Sequence, residues 1–216
     1  MELAPGVHRI DGIGGVNAYL VVADDGLYVV DTGMPGNVDR ILAFIRRTGH
    51  EPGEVREIVI THSDPDHTGS AVRLKEATGA RIAIHAADAP ALAGTPGVRA
   101  TGWAGAVFRA AALLIRAPHA EPDRTLDEGD TVAGFRVLHV PGHTAGSIAL
   151  HRDDGVVISG DALLSDSKGA LELPRKALAL DYERALASAR RIRELEPSLL
   201  LPGHGLPVRA ERGSGE

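Results

Sequence analysis

The chain has no cysteine, and that single absence removes disulfides, thiolate nucleophiles, zinc ribbons and iron–sulfur clusters together. Any metal site must therefore be built from nitrogen and oxygen. Aromatic residues make up only 3% of the 216 residues, so Ala, Leu, Val and Ile must fill the interior. The length is enough for a substantial core. No apolar run is long enough to span a bilayer, and Met1-Glu2-Leu3-Ala4-Pro5-Gly6 has neither the basic start nor the apolar core of a signal peptide. The expectation is a cytoplasmic protein without a membrane partner. A long basic run is also missing and the formal charge is −6, so nucleic acid is not an expected partner.

What is present is polar chemistry at the ends of apolar segments. Thr61-His62-Ser63-Asp64-Pro65-Asp66-His67-Thr68-Gly69 places two histidines and two carboxylates between the β-branched run Ile58-Val59-Ile60 and a helical pattern at Ala71, Val72, Leu74 and Ala77. A strand runs into a turn and the turn into a helix. All four side chains thus crowd the C-terminal end of one strand, where sheet-based enzymes keep their chemistry. Imidazole and carboxylate at this density read as metal ligands; the alternative is a solvated polar turn.

Around this stretch the chain reads as two runs of strands, each followed by a long helix. Strands are expected at 7–10, 18–22, 27–30, 58–61 and 81–85, with Asp24-Asp25-Gly26 as a hairpin turn. Helices are expected at about 37–47, with Val38, Ile41, Leu42 and Ile45 on one face, and at 86–92. The texture changes at about 94–118, a helical insertion whose 103–117 stretch is apolar on most of its circumference. Strands return at 137–140, 147–150, 156–159 and 199–201, with a long loop at 164–174 and an amphipathic helix at about 182–195. No repeat, low-complexity tract or linker divides residues 1–216. The economical reading is one α+β domain, two sheets packed together with helices outside.

Three more strand ends carry ligand-type residues: Pro141-Gly142-His143, Gly160-Asp161 and Pro202-Gly203-His204. Glycine there permits a sharp exit and leaves room for an ion. This pattern resembles the metallo-β-lactamase superfamily, whose signature is H-x-H-x-D-H followed by a distant His, an Asp and a final His. The resemblance runs from Asp31-Thr32-Gly33 to Gly205, nearly the whole chain, and both order and spacing match. It implies a four-layer αβ/βα sandwich with two divalent metal ions in a groove at one edge. Zinc is the first expectation, since the set is rich in histidine; iron and manganese are the others. By the resemblance, His62 and His143 hold the first ion, Asp66, His67 and His204 the second, and Asp161 bridges both. Asp31 matches a carboxylate that orients a ligand, and it suits equally a cap for the helix that follows.

Asp64 departs from the pattern, standing where the signature has histidine. It either ligates the first metal or, with its shorter arm, leaves that site weak or empty. Two divalent ions against Asp66, Asp161 and a bridging hydroxide leave one net positive charge, which an anionic Asp64 cancels. A neutral centre is a weaker Lewis acid and suits harder ions such as iron or manganese.

Such a centre supports hydrolysis by a metal-bridging hydroxide, with Asp66 as the catalytic group that passes a proton to the leaving group. Asp161 and the absence of cysteine point away from true β-lactamases, and the 12 residues after His204 point away from the glyoxalase II class with its helical thioester-binding domain. A lactone or related small ester is the expected substrate. Trp103, Val107 and Phe108 of the 103–117 helix either roof the groove over an acyl chain or pack on the domain, and a homodimer contact is the third option. The alternatives are an iron-dependent redox protein of the persulfide-oxidising type and a phosphodiesterase. Arg175 and Lys176 read as a solvated basic pair or as contacts for an anionic substrate. His8, His50, His85, His119, His139 and His151 lie off the signature and read as structural or surface residues.

Overall fold

The computed structural model describes residues 1–95 and 117–210. Trp103, Val107 and Phe108 of the expected 103–117 helix lie outside the described residues.

Two sheets carry the fold. The first is seven-stranded, in the order β1 (Glu2–Ala4), β2 (Val7–Arg9), β3 (Tyr19–Ala23), β4 (Gly26–Val30), β5 (Val55–Ile60), β6 (Arg81–His85) and β7 (Arg124–Leu126). It is antiparallel up to β4 and parallel from β4 to β7. Parallel neighbours need crossovers, and α1 (Val38–Arg47), α2 (Pro65–Thr68), α3 (Ala71–Thr78) and α4 (Ala89–Leu92) lie in those connections. The second sheet has six strands. In chain order these are β8 (Thr131–Val132), β9 (Phe135–His139), β10 (Ile148–His151), β11 (Val156–Gly160), β14 (Leu199–Pro202) and β15 (Val208–Arg209). There β11 and β14 run parallel across α5 (Tyr182–Glu194), and β9, antiparallel to β10 as β10 is to β11, points the same way as both.

Residue alternation along the strands builds three apolar interfaces from these layers. Tyr28 and Val30 of β4, with Tyr19, Val59 and Ala83, meet Phe135, Val137, Ile158, Leu199 and Leu201 between the two sheets. The intervening Leu27 and Val29 turn outward with Ile58, Ile60 and Ile82 against Ile41, Phe44 and Ile45 of α1 and Leu74 of α3. In the second sheet Leu200 and Val157 turn outward against Ala189 and Ile192 of α5. The result is a helix–sheet–sheet–helix α+β sandwich. Few aromatics suffice because sheets packed face to face interlock branched aliphatics efficiently.

The two sheets share a direction as well as a core. β4, β5 and β6 are mutually parallel, so their C-terminal ends share one edge. The backbone N–H of Ile148 at the start of β10 donates to Thr61 O just past β5 (2.9 Å), joining the sheets there.

One expected loop is partly ordered. Within 164–174 lies a small hairpin, β12 (Leu164–Ser165) and β13 (Leu171–Glu172). Its turn is closed by Asp166, whose Oδ1 accepts from Lys168 N and Ala170 N at 2.7 and 2.8 Å. A side-chain-capped turn of this kind leaves no apolar period in the sequence. Strands β1 and β7, three residues each, also escape a pattern reading. Among the described residues no helix is long and apolar enough to cross a membrane.

Phe135 is fully buried at the centre of the sheet–sheet interface. Phe135→Ala is expected to cost about 3–5 kcal/mol, read as a lower urea midpoint at unchanged slope.

Candidate metal centre

The first sheet delivers its polar residues through strain and hydrogen bonds. Asp31, directly after β4, is buried and holds φ +58, a left-handed conformation that costs a non-glycine residue about 1–2 kcal/mol. Its carboxylate offsets that cost by accepting from Thr61 N (2.9 Å), Thr61 Oγ1 (2.8 Å) and His67 Nδ1 (2.8 Å). Asp31 therefore orients His67 and does not cap α1, where Asn37 takes the cap position. Thr32 adds two donors, N and Oγ1, to His67 O at 2.8 and 2.9 Å. Because Thr61 gives its hydroxyl proton to Asp31, its oxygen accepts from His62 Nδ1 at 3.0 Å. That contact selects Nε2 as the nitrogen of His62 with a lone pair to offer, as Asp31 does for His67.

The second sheet contributes His143 beyond β9, Asp161 at the end of β11 and His204 beyond β14. The His204 turn is held from across the molecule. Asn17 Nδ2 donates to Pro202 O and Gly205 O at 2.9 Å each, Tyr19 Oη donates to Pro202 O at 2.7 Å, and His204 Nδ1 donates to Gly15 O at 2.6 Å. Gly203 is required by space: a Cβ there would strike Asp161 Oδ1 and come within 2.9 Å of His67 Cε1.

The seven candidate ligands converge. Three sets have donor atoms all within 4.8 Å of one another: His62, Asp64 and His143; His62, His67 and Asp161; and Asp66, His67 and His204. Asp64 Oδ2 lies 3.1 Å from His143 Nε2 and 3.8 Å from His62 Nε2. Asp66 Oδ2 lies 3.3 Å from His204 Nε2 and 3.9 Å from His67 Nε2. Asp161 sits between, Oδ2 at 3.3 Å from His204 and 3.7 Å from His143, Oδ1 at 3.5 Å from His67. Although Asp64 occupies the cap position of α2, its side chain makes no cap bond there.

This donor set fits divalent ions. Among the described residues, buried His67 Nε2 and Asp161 Oδ1 have no hydrogen-bond partner, an expensive arrangement unless a cation joins them. All seven donors are nitrogen or oxygen, the mixture that zinc, iron and manganese accept.

Without an ion, protons take its place. Burial disfavours charged His67, yet Asp31, Asp161 and Asp66 outweigh it and lift its pKa to about 9. His204 is raised to about 11 against its own burial by Asp161 and Asp66. His143 is raised against burial by Asp64 and Asp161. Burial would raise Asp161, but the surrounding histidines hold it well below the usual carboxylate range.

A cleft of about 520 Å³ opens onto the cluster, lined by Asp64, Asp66, His143, Asp161 and His204 and walled by Ser165, Glu172 and Arg175 among others. The basic pair is divided: Arg175 lines the cleft, while Lys176 Nζ stands 5.7 Å over the ring of Tyr182. His85 and His139 stack on each other at 4.1 Å, outside the seven-residue cluster.

Sequence reasoning missed Asp88, Asn17 and Tyr19. Asp88 lies just past β6, so the strand-end pattern that found His62 could have found it. Asn17 and Tyr19 leave no local signal, because their partners lie at the other end of the chain.

The raised pKa of His67 predicts how the metal-free chain responds to pH. Ion pairing with Asp31 and Asp161 contributes stability fully below the ordinary value of 6.5 and loses it as pH climbs through about 9. The chelator-stripped protein is expected to melt at progressively lower temperature from pH 7 to 10, and Asp31→Asn should flatten that decline. A metal-loaded sample should not show it, since an ion needs His67 deprotonated.

Known proteins resemble the chain in sequence and in fold. A probable metallo-hydrolase of Bacillus subtilis (strain 168), YflN, is 28% identical over 232 residues, covering 96% of this chain and 86% of that protein. The acyl-coenzyme A thioesterase MBLAC2 of Gallus gallus is 35% identical over 170 residues, covering 71% of this chain but 58% of its own length. Among solved structures, TTHA1623 in a di-iron-bound form superposes with a TM-score of 0.72 at 29% identity, covering 94% of this chain and 93% of that one. The family model described as the metallo-beta-lactamase superfamily matches residues 11–204, and the chain belongs to that superfamily.

Proposed function

We propose that the chain is a hydrolase that uses two divalent metal ions to open a lactone or a related small ester or thioester. The observation that carries this reading is the continuous cluster of seven donors on a cleft wall, with Asp161 in reach of both histidine groups. His62, Asp64 and His143 would hold one ion, Asp66, His67 and His204 the other, and Asp161 would lie between them. When bound, such ions supply Lewis acidity and a water of lowered pKa.

The chain's own residues do the remaining work. Asp31 keeps the His67 Nδ1 proton in place and so presents Nε2 to the cluster. Asp66 has the most access to the cleft, its side chain 32% exposed against 6% for Asp64 and 9% for Asp161. That exposure suits it to hand a proton to a departing alkoxide or thiolate. The cleft volume lies in the range of small-molecule sites. The thioesterase name of the Gallus gallus relative is what brings thioesters into the class.

Zinc remains the first assignment for a histidine-rich set. A second reading, iron with redox chemistry, is favoured by one observation: TTHA1623 was solved with two irons on the same fold. Asp64 supports a harder ion through its added negative charge.

Elemental analysis of protein purified without added metal decides between them. Two zinc per chain, with hydrolysis of members of a lactone, ester, thioester and phosphodiester panel that stops on chelation, is the expected result. Stoichiometric iron with oxygen uptake and no hydrolysis would replace the hydrolase reading by the redox one. In the same preparation Asp64→Ala should lose the first ion while retaining the second; unchanged occupancy would exclude Asp64 as a ligand.

A further inference from the structure

Asp31 reaches both groups of the centre, through Thr61 to His62 and directly to His67, but one residue serves the first group alone. We infer that Asp88 is the positioning residue for the first ion: it locks the turns that carry His62, Asp64 and His143 to each other across the two sheets. The inference rests on the two-ion reading.

Asp88 lies in the turn between β6 and α4 and is 3% exposed. Its side chain does not cap α4. Instead Oδ2 accepts from Ser63 N at 2.8 Å and Thr144 Oγ1 at 2.7 Å, while Oδ1 accepts from Gly146 N at 2.8 Å. Ser63 stands between His62 and Asp64, and Thr144 directly follows His143. Every member of the first group is therefore bonded in sequence to a donor that Asp88 holds. Both carboxylate oxygens are occupied by these donors, so Asp88 positions the ligands without joining them.

The surroundings are built to receive it. A Cβ at Gly146 would lie 2.7 Å from Asp88 N and 2.8 Å from its Cγ, so only glycine lets the turn approach. Ser147 Oγ accepts from Thr144 N at 3.0 Å and lies 2.8 Å from Thr144 Oγ1, which fixes the hydroxyl that Asp88 receives. His139 Nε2, beside the same turn, lies 2.9 Å from Ala145 O.

The second group has different supports. Asp31 and Thr32 hold His67, and Asn17, Tyr19 and Gly15 hold the His204 turn. Among the described residues, Asp88 makes hydrogen bonds to none of these. A fault at Asp88 should consequently reach one ion and spare the other. Asparagine has nearly the same shape but only one accepting oxygen. In either amide orientation an N–H of Ser63 or Gly146 then meets an N–H, and one turn must move.

The test is titration of the metal-free full-length chain with Co²⁺, followed by calorimetry and by the visible spectrum of the bound ion. His143→Ala and His204→Ala mark which signal belongs to which group. For Asp88→Asn the expected result is an affinity loss of about tenfold or more at the first group, with the second within about twofold of wild type. Thr144→Val removes a single bond to Asp88 and should shift affinity in the same direction by less, which keeps the test decisive where Asp88→Asn does not fold. Equal losses at both groups would indicate general loosening and overturn the inference, as would no loss at the first group in either variant. A wild-type chain that binds no Co²⁺ would remove the two-ion reading itself, whereas two ions with an unaltered Asp88→Asn would remove only the role of Asp88.

Discussion

The carboxylates of Asp31, Asp64, Asp66, Asp88 and Asp161 and the imidazoles of His62, His67, His143 and His204 share one edge of this double sheet, most of them buried, and the rest of the structure is arranged to make that concentration of charge tolerable. In the metal-free chain the balance falls on protons: His67, His143 and His204 are all raised in pKa by the acids around them, and Asp161 is lowered in return. Buried ion pairs of this kind are poor stabilisers, since desolvation offsets much of their attraction. Apolar residues at the same positions would pack at lower cost. That His67 Nε2 and Asp161 Oδ1 stand buried without a hydrogen bond among the described residues is understandable when the cluster is organised for a cation.

Direction of travel in the strands explains how the charge is assembled. β4, β5 and β6 of one sheet end at the edge where Asp31, His62 and Asp88 stand, and β9, β11 and β14 of the other lead to His143, Asp161 and His204. Each strand supplies a buried apolar rod and leaves its polar residue at the exit, where backbone groups no longer engaged in the ladder are free to bond side chains. Hydrophobic packing thus fixes where the exits are, and hydrogen bonds fix which way each ligand points. Asp31 cannot be moved without releasing Thr61 and His67 together.

Much of this was legible in the sequence because the information is local. A β-branched run followed by His-x-Asp-x-Asp-His states its strand, its turn and its candidate ligands within one short segment. Pro-Gly-His at 141–143 and 202–204 repeats that statement. The α+β sandwich followed from two halves that each run strands first and a long helix later. What stayed hidden depends on distance or on turns. Asn17 and Tyr19 look like ordinary residues at the head of a strand until the Pro202 carbonyl arrives from the far end of the chain. The β12–β13 hairpin is closed by Asp166, not by hydrophobic pattern, and β1 and β7 are too short to show a period. Asp31 is the intermediate case: its place before Thr32-Gly33 was visible, but the choice between helix cap and histidine partner needed the position of His67.

The placement of the ligands has a mechanical consequence. The first group takes His62 and Asp64 from one sheet and His143 from the other, and the second group joins Asp66 and His67 to His204 in the same way. An ion bound at either group would cross-link the two sheets at the edge where Ile148 N bonds Thr61 O. Ligand binding to the folded state alone stabilises that state by RT ln(1 + [L]/Kd), so each ion would tighten the seam that creates its own site. Asp161 lies within reach of both groups and would be drawn by either ion. Function and fold would then meet at the same seam, the one that the proposed ions would hold closed.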